Sequence, residues 1–184
     1  MSKNELRLKM REKRRLLSPE NIALMSSNIA HRLIETEEFK NARTVMVYIS
    51  AFREVETGDI ISELFKLSKK VVVPVTDTEN DDIIPAYIDS LDMLSPGAYG
   101  ILEPVSIKRA DEDDIDLIIL PGLAFDTECT RLGFGRGCFD RLLSRVSAKK
   151  IGLCYDFQLI EGIPHEEHDI PMDAVITERR FIRR

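Results

Sequence analysis

The chain has three cysteines among its 184 residues, and no two of them form a Cys-x-x-Cys pair. Cys129, Cys138 and Cys154 are too few and wrongly spaced for a disulfide framework or a common zinc or redox motif, so they read as reduced thiols. No apolar run approaches the roughly 20 residues of a membrane span. The N-terminal segment is charged where a signal peptide carries an apolar stretch, so the expected location is the cytoplasm, with no membrane partner. Neither common nucleotide fingerprint is present: Gly-Lys-Ser/Thr is missing, and so is Gly-x-Gly-x-x-Gly after a first strand. No internal repeat is visible, which removes repeat architectures.

What is present suits one folded unit. A chain of this length that is 43% hydrophobic can bury a good core, and residues 1–184 are expected to form a single domain. Charged residues make up 32% with mixed signs, for a net charge of −6. That balance is uneven along the chain. Residues 1–17 hold seven basic and two acidic side chains, a surplus of five that leaves −11 for the remainder. The acidic remainder argues against broad nucleic-acid binding, whereas the basic start still suits a small anion.

Leu6, Met10 and Leu17 recur at helical intervals and predict an amphipathic helix from Lys3 to Leu17, with Lys3, Arg7 and Arg11 along one face. Ser18-Pro19 reads as N-cap and first helical residue of a second helix ending near Ile34. The period then changes. Thr44–Ile49 and Val71–Val73 read as strands flanking a helical segment from Gly58 to Lys69, a βαβ unit. Further strands are expected at Ile84–Ile88, Leu117–Leu120, Ile151–Tyr155 and Ala174–Thr177. Continuous apolar strands predict a sheet covered on both faces. Ligands of such sheets sit beyond the carboxyl ends of the strands, where Ser50–Thr57, Pro121–Gly137 and Pro164–Asp173 are expected.

The richest stretch is Arg131-Leu132-Gly133-Phe134-Gly135-Arg136-Gly137-Cys138-Phe139-Asp140, with alternating glycines between arginines and a closing carboxylate. Read from the residues, it is either a backbone cradle for phosphate or a surface turn closing onto a helix. Arg131 and Arg136 suit phosphate oxygens, and Asp140 suits an accompanying magnesium ion. No histidine follows Cys138 closely, so a thiol nucleophile lacks its base. His165-Glu166-Glu167-His168 sets its histidines three apart between prolines and does not match a zinc-hydrolase helix. Asp169 is a carboxylate on a loop able to reach the phosphate region. Asp111-Glu112-Asp113-Asp114 reads as a solvated loop.

Leu120-Pro121-Gly122-Leu123-Ala124-Phe125-Asp126 running into Arg131-Leu132-Gly133-Phe134-Gly135-Arg136-Gly137, with Lys3-Asn4-Glu5-Leu6-Arg7 at the start, resembles the 5-formyltetrahydrofolate cyclo-ligase family. The resemblance spans nearly the whole chain through Glu54-Val55-Glu56-Thr57, Tyr99-Gly100-Ile101-Leu102-Glu103-Pro104, His168-Asp169 and Met172-Asp173. It implies an α/β three-layer sandwich with a mixed, mostly parallel central sheet, Rossmann-like. It also implies an ATP- and magnesium-dependent cyclisation of 5-formyltetrahydrofolate to 5,10-methenyltetrahydrofolate. Carried across by residue, ATP falls to Lys3, Asn4, Glu5, Leu6 and Arg7 and to Arg131, Leu132, Gly133, Phe134, Gly135, Arg136, Gly137, Cys138 and Phe139. Magnesium falls to Asp140 and Asp169. The reduced folate falls to Ile49, Glu54, Tyr99 and the backbone of Phe134–Cys138.

Two positions depart from the family pattern: Arg136 replaces a lysine, and Cys138 replaces the first of two aromatic residues. Arginine keeps the charge but spreads it over a planar fork. The missing ring removes packing worth roughly 0.5–1.5 kcal/mol, which raises a Michaelis constant without abolishing the reaction. A non-cyclising relative binding a folate or another phosphorylated metabolite is the rival reading. An RNA-binding protein using the first helix is a further one, disfavoured by the acidic remainder and the lack of clustered aromatics. The expected state is a monomer or weak dimer, with no nucleic-acid partner.

Overall fold

The elements begin where local chemistry satisfies a helix start. In a computed structural model that describes residues 1–184 except His165, Glu167 and His168, α1 spans Lys3–Arg15. Its N-cap Ser2 accepts the Glu5 N–H at 3.3 Å, and the Glu5 carboxylate accepts the Ser2 N–H at 2.7 Å, a reciprocal capping box. Ser18 and Pro19 open α2 (Pro19–Ile34), as the sequence predicts. Thr36 caps a short α3 (Glu37–Asn41), which the sequence reading lacked.

β1 (Thr44–Val47), α4 (Gly58–Lys66) and β2 (Lys70–Asp77) form the βαβ unit, with β1 and β2 parallel. The helix stops three residues short of the expected Lys69 because Ser68 turns to a φ of 53°. The remaining strands are β3 (Asp82–Ile88), β4 (Leu94–Pro96), β5 (Leu102–Pro104), β6 (Lys108–Arg109), β7 (Leu117–Pro121), β8 (Ala124–Asp126) and β9 (Arg131–Leu132). After α5 (Cys138–Leu143) come β10 (Lys149–Leu153), β11 (Leu159–Ile160), β12 (Ala174–Ile176) and β13 (Phe181–Arg183).

Eight of these make one sheet in the order β13-β12-β10-β7-β1-β2-β3-β6. The run from β12 to β2 is parallel, and β13, β3 and β6 add antiparallel edges, so the sheet is mixed and mostly parallel, as expected. Side chains alternate across it. Val45, Val47, Val71, Leu117 and Ile119 bury against Ile29 and Leu33 of α2 and Ile60 and Leu64 of α4. Met46, Val72, Ile118 and Leu120 bury on the other face with Leu142 and Leu143 of α5 and with Phe125 of β8. That second cover mixes a short helix with a small sheet, β11-β8-β9, in place of the helix pairs of a doubly wound fold.

α1 packs on this small sheet. Leu6 and Met10 bury against Leu123, Ala124 and Leu132, an anchor worth about 1.5–3 kcal/mol for each large side chain. The apolar stripe of α1 therefore carries its cationic side to the segment that follows β9. In the main sheet β1 leads to β2 on one side while β7 leads to β10 on the other, so the order reverses between β1 and β7. A crevice opens at their carboxyl ends, where such sheets take ligands.

Candidate active site

A cavity of about 730 Å³ occupies that crevice, within the usual range for small-molecule sites. Ile49, Phe52 and Glu54 from the loop after β1 form one wall, and Arg131 through Asp140 form another. Lys3, Asn4 and Arg7 close it from α1, Tyr99 from the β4–β5 connection, and Asp169 from the loop before β12. Thus segments separated by more than a hundred residues in sequence converge, and Lys3 and Arg131 face the same space. Glu5 and Leu6 do not line the cavity. Glu5 is spent on the capping box and Leu6 on the core.

The glycine segment has the backbone of a cradle. Gly135 has a φ of 107° and Gly137 a φ of 72°, both in the region that residues with a Cβ avoid, and Gly137 leads directly into α5. Arg7 fixes the cradle from outside: its Nε donates to the Gly133 carbonyl at 3.0 Å and its Nη1 to Asn4 Oδ1 at 2.7 Å. Arg136 lies with its guanidinium 4.5 Å from the Tyr99 ring centre, donates to the Tyr99 hydroxyl, and stands 3.5 Å from Asp81. A planar fork stacks on a ring in a way an ammonium does not, so the arginine at this position ties the glycine segment to the β4–β5 connection.

Cations and carboxylates come in pairs here. Arg131 is buried, donates from Nη2 to Asp140 at 2.8 Å, and lies over the Phe139 ring at 5.5 Å. Its Nε is buried without a partner among the described residues. Lys3 Nζ lies 2.7 Å from Asp169 and 3.5 Å from Glu166. Glu54 differs from both carboxylates. It is 8% exposed, accepts the Ala51 N–H at 3.1 Å, and has Arg14 Nη1 at 3.9 Å. Burial pushes its pKa up to about 7, against the pull of the Arg14 guanidinium and the Ala51 N–H. Burial also raises the Cys138 thiol, with Arg141 and Arg136 offsetting it only in part, which disfavours a thiolate nucleophile.

Sequence reasoning missed Arg14, Phe52 and Asp81. Arg14 carried a readable signal, since Leu6, Met10 and Arg14 are spaced four apart and all three are buried. The acidic run behaves largely as surface: Glu112 pairs with Arg145 and Asp114 accepts from Tyr87. No group of three or more metal-ligating side chains occurs among the described residues. Of His165-Glu166-Glu167-His168 only Glu166 is described, so the other three fall outside the described residues. No described helix is long and apolar enough to cross a membrane.

Fold and site together define an α/β enzyme whose cavity, at the carboxyl ends of parallel strands, combines paired cations and carboxylates with a glycine-shaped backbone and one deeply buried carboxyl. The chain belongs to the 5-formyltetrahydrofolate cyclo-ligase family, whose profile matches residues 1–178. A 5-formyltetrahydrofolate cyclo-ligase of Escherichia coli is 32% identical over 91% of this chain and 96% of its own length. The mouse protein of that name is 28% identical, covering 96% of this chain and 94% of its own. The solution structure of an Aquifex aeolicus 5,10-methenyltetrahydrofolate synthetase superposes with a TM-score of 0.89 at 38% identity, covering all of this chain and 93% of that one. A Mycoplasma pneumoniae structure shares the fold, with a TM-score of 0.80 at 24% identity.

Proposed function

We propose that the protein closes 5-formyltetrahydrofolate to 5,10-methenyltetrahydrofolate at the expense of ATP and with magnesium. The observation that carries this reading is the convergence of Lys3, Arg7, Arg131, the Gly133–Gly137 backbone, Asp140, Asp169 and Glu54 on one cavity. A formamide oxygen is a poor leaving group. Transfer of the γ-phosphoryl group of ATP to that oxygen releases ADP and leaves an imidate phosphate. N10 then attacks the formyl carbon with its lone pair and loses its proton. The carbon–oxygen bond breaks, and phosphate departs with the former formyl oxygen. Such chemistry asks the protein for positioning and charge neutralisation.

The side chains fit those tasks. Lys3 and Arg131, both lining the cavity, hold phosphate oxygens. Asp140 and Asp169 are hard oxygen donors of the kind magnesium takes together with phosphates and water, and they suit it as its protein ligands. Magnesium supplies neutralisation of charge on the phosphates. Each carboxylate is balanced by its cation without ligand, so binding exchanges partners and leaves no buried charge alone. Glu54 accepts N–H groups of the reduced pterin, Ile49 packs beside it, and Tyr99, held by Arg136, covers its far side. Incubation with ATP, magnesium and 5-formyltetrahydrofolate should produce the near-ultraviolet absorbance of the methenyl product. Folded protein that hydrolyses ATP without that product, or binds both ligands and forms none, refutes the reading.

A further inference from the structure

Arg14 is the one arginine placed on the buried stripe of α1, next in line after Leu6 and Met10. It is 3% exposed and does not line the cavity. Burying a guanidinium is costly unless its donors are used, yet its Nε has no partner among the described residues. Its contacts all point to the cavity wall. Nη2 donates to the Phe52 carbonyl at 2.6 Å, Nη1 lies 3.9 Å from Glu54, and the group sits 5.9 Å from the Phe134 ring centre.

The loop it reaches is strained. Phe52 and Arg53 hold φ values of 50° and 59°, two consecutive left-handed residues without glycine. Arg53 in turn donates to the Leu17 carbonyl just beyond α1, so the loop is tied to the first helix from both sides. Among the described residues, Tyr48, just after β1, and Tyr155, just after β10, are the other titratable groups facing Glu54. Their hydroxyls are committed to backbone, donating to the Val55 carbonyl at 2.8 Å and to the Glu54 carbonyl at 2.7 Å. That leaves Arg14 as the cation beside this carboxyl among the described residues.

We propose that Arg14 is a positioning residue for recognition of the reduced folate: from behind the wall it favours the ionised form of Glu54 and keeps the Phe52–Arg53 turn in shape, so that the carboxylate offers its oxygens to ligand N–H donors. The inference rests on the reading that Glu54 receives the pterin. The side chain of Arg14 does not line the cavity and acts through Glu54 and the Phe52–Arg53 turn. A leucine would fill the apolar stripe of α1 at lower cost, and the charge is retained for the sake of the loop.

The test measures KM for 5-formyltetrahydrofolate and for ATP, with kcat, from about pH 5.5 to 9 in wild type, Glu54→Gln, Arg14→Gln, Arg14→Lys and the Arg14→Gln/Glu54→Gln pair. Glutamine at position 14 keeps a donor for the Phe52 carbonyl and removes the charge. In the wild type, affinity for the folate should rise with pH through about 7, following Glu54. Arg14→Gln should move that midpoint up by about one pH unit or more and raise the folate KM at neutral pH about tenfold, with KM for ATP little changed. Arg14→Lys should return the midpoint toward wild type, and Arg14→Gln should add no pH-dependent effect to Glu54→Gln.

A midpoint unmoved in folded Arg14→Gln, or moved equally far in Arg14→Lys, overturns the inference. So does a loss of affinity that persists undiminished in the double variant. If Glu54→Gln itself leaves the folate KM unchanged, the assignment of Glu54 to the folate falls first and takes the role of Arg14 with it.

Discussion

Replacing Glu54 with glutamine separates what this side chain costs the fold from what it does for the ligand. The carboxyl is almost fully buried, and its pKa rises from 4.5 to about 7 because burial outweighs Arg14 and the Ala51 N–H. A folded-state value above the unfolded one means that the folded chain keeps the proton longer. The associated stability is complete below about pH 4.5 and is lost as the pH climbs through 7. At 1.36 kcal/mol per pKa unit, a gap of about 2.5 amounts to roughly 3 kcal/mol lost by pH 8. Glutamine carries no charge and still offers an oxygen to the Ala51 N–H. The variant should therefore gain about 2–3 kcal/mol over wild type at pH 8 and less than about 1 kcal/mol at pH 5. For a chain of this size the gain at pH 8 corresponds to roughly 5–10 °C in Tm. Thermal and urea unfolding of both proteins across that range is the assay, and folate affinity should fall in the same variant. Stability curves that run parallel from acid to alkaline pH would show that Glu54 does not titrate with folding, and the reasoning would fail.

Other consequences concern the phosphate side and the core. Arg131→Ala should weaken ATP binding by about 1.5–3 kcal/mol in calorimetry, the value of a charge-assisted hydrogen bond. Unchanged affinity would move the phosphates elsewhere. Gly135→Ala forces a Cβ onto a φ of 107°, so the cradle should distort at a cost of about 1–3 kcal/mol, seen as a raised KM for ATP with a smaller loss in Tm. Gly152→Ala tests the fold away from the ligand: its Cβ would stand 2.3 Å from the Phe125 ring, and a loss of about 1–3 kcal/mol in urea unfolding is expected. Chelation of magnesium should stop turnover while leaving the circular dichroism spectrum unchanged, because no metal cluster holds the described residues together.

Much of the fold was legible because it is local. The Ser18-Pro19 start of α2, the β-branched run of β1 and the valines of β2 each state a backbone preference within a few residues. The antiparallel edges were harder. β6 and β13 are only two and three residues long, mostly exposed, and owe their extended shape to a neighbouring strand. In the candidate site, the glycine spacing predicted a backbone free to turn, and Gly135 and Gly137 do take positive φ. The pairing of Lys3 with Asp169 was not legible, since 166 residues separate them and nothing local marks the pair.

By itself, then, the sequence determined the helix starts, the apolar strands of a mostly parallel sheet, the family, and a glycine-arginine segment shaped for an anion. Tertiary structure alone decided that α1 docks through Leu6 and Met10 beside that segment, that Arg136 lies on Tyr99, and that Arg14 is buried behind Glu54 while its neighbour Arg15 is exposed. The division follows from range. Backbone preference and periodicity act over a few residues and are written in each short stretch of chain. The ionisation of a carboxyl depends on how much water and which charges remain around it once distant segments have packed.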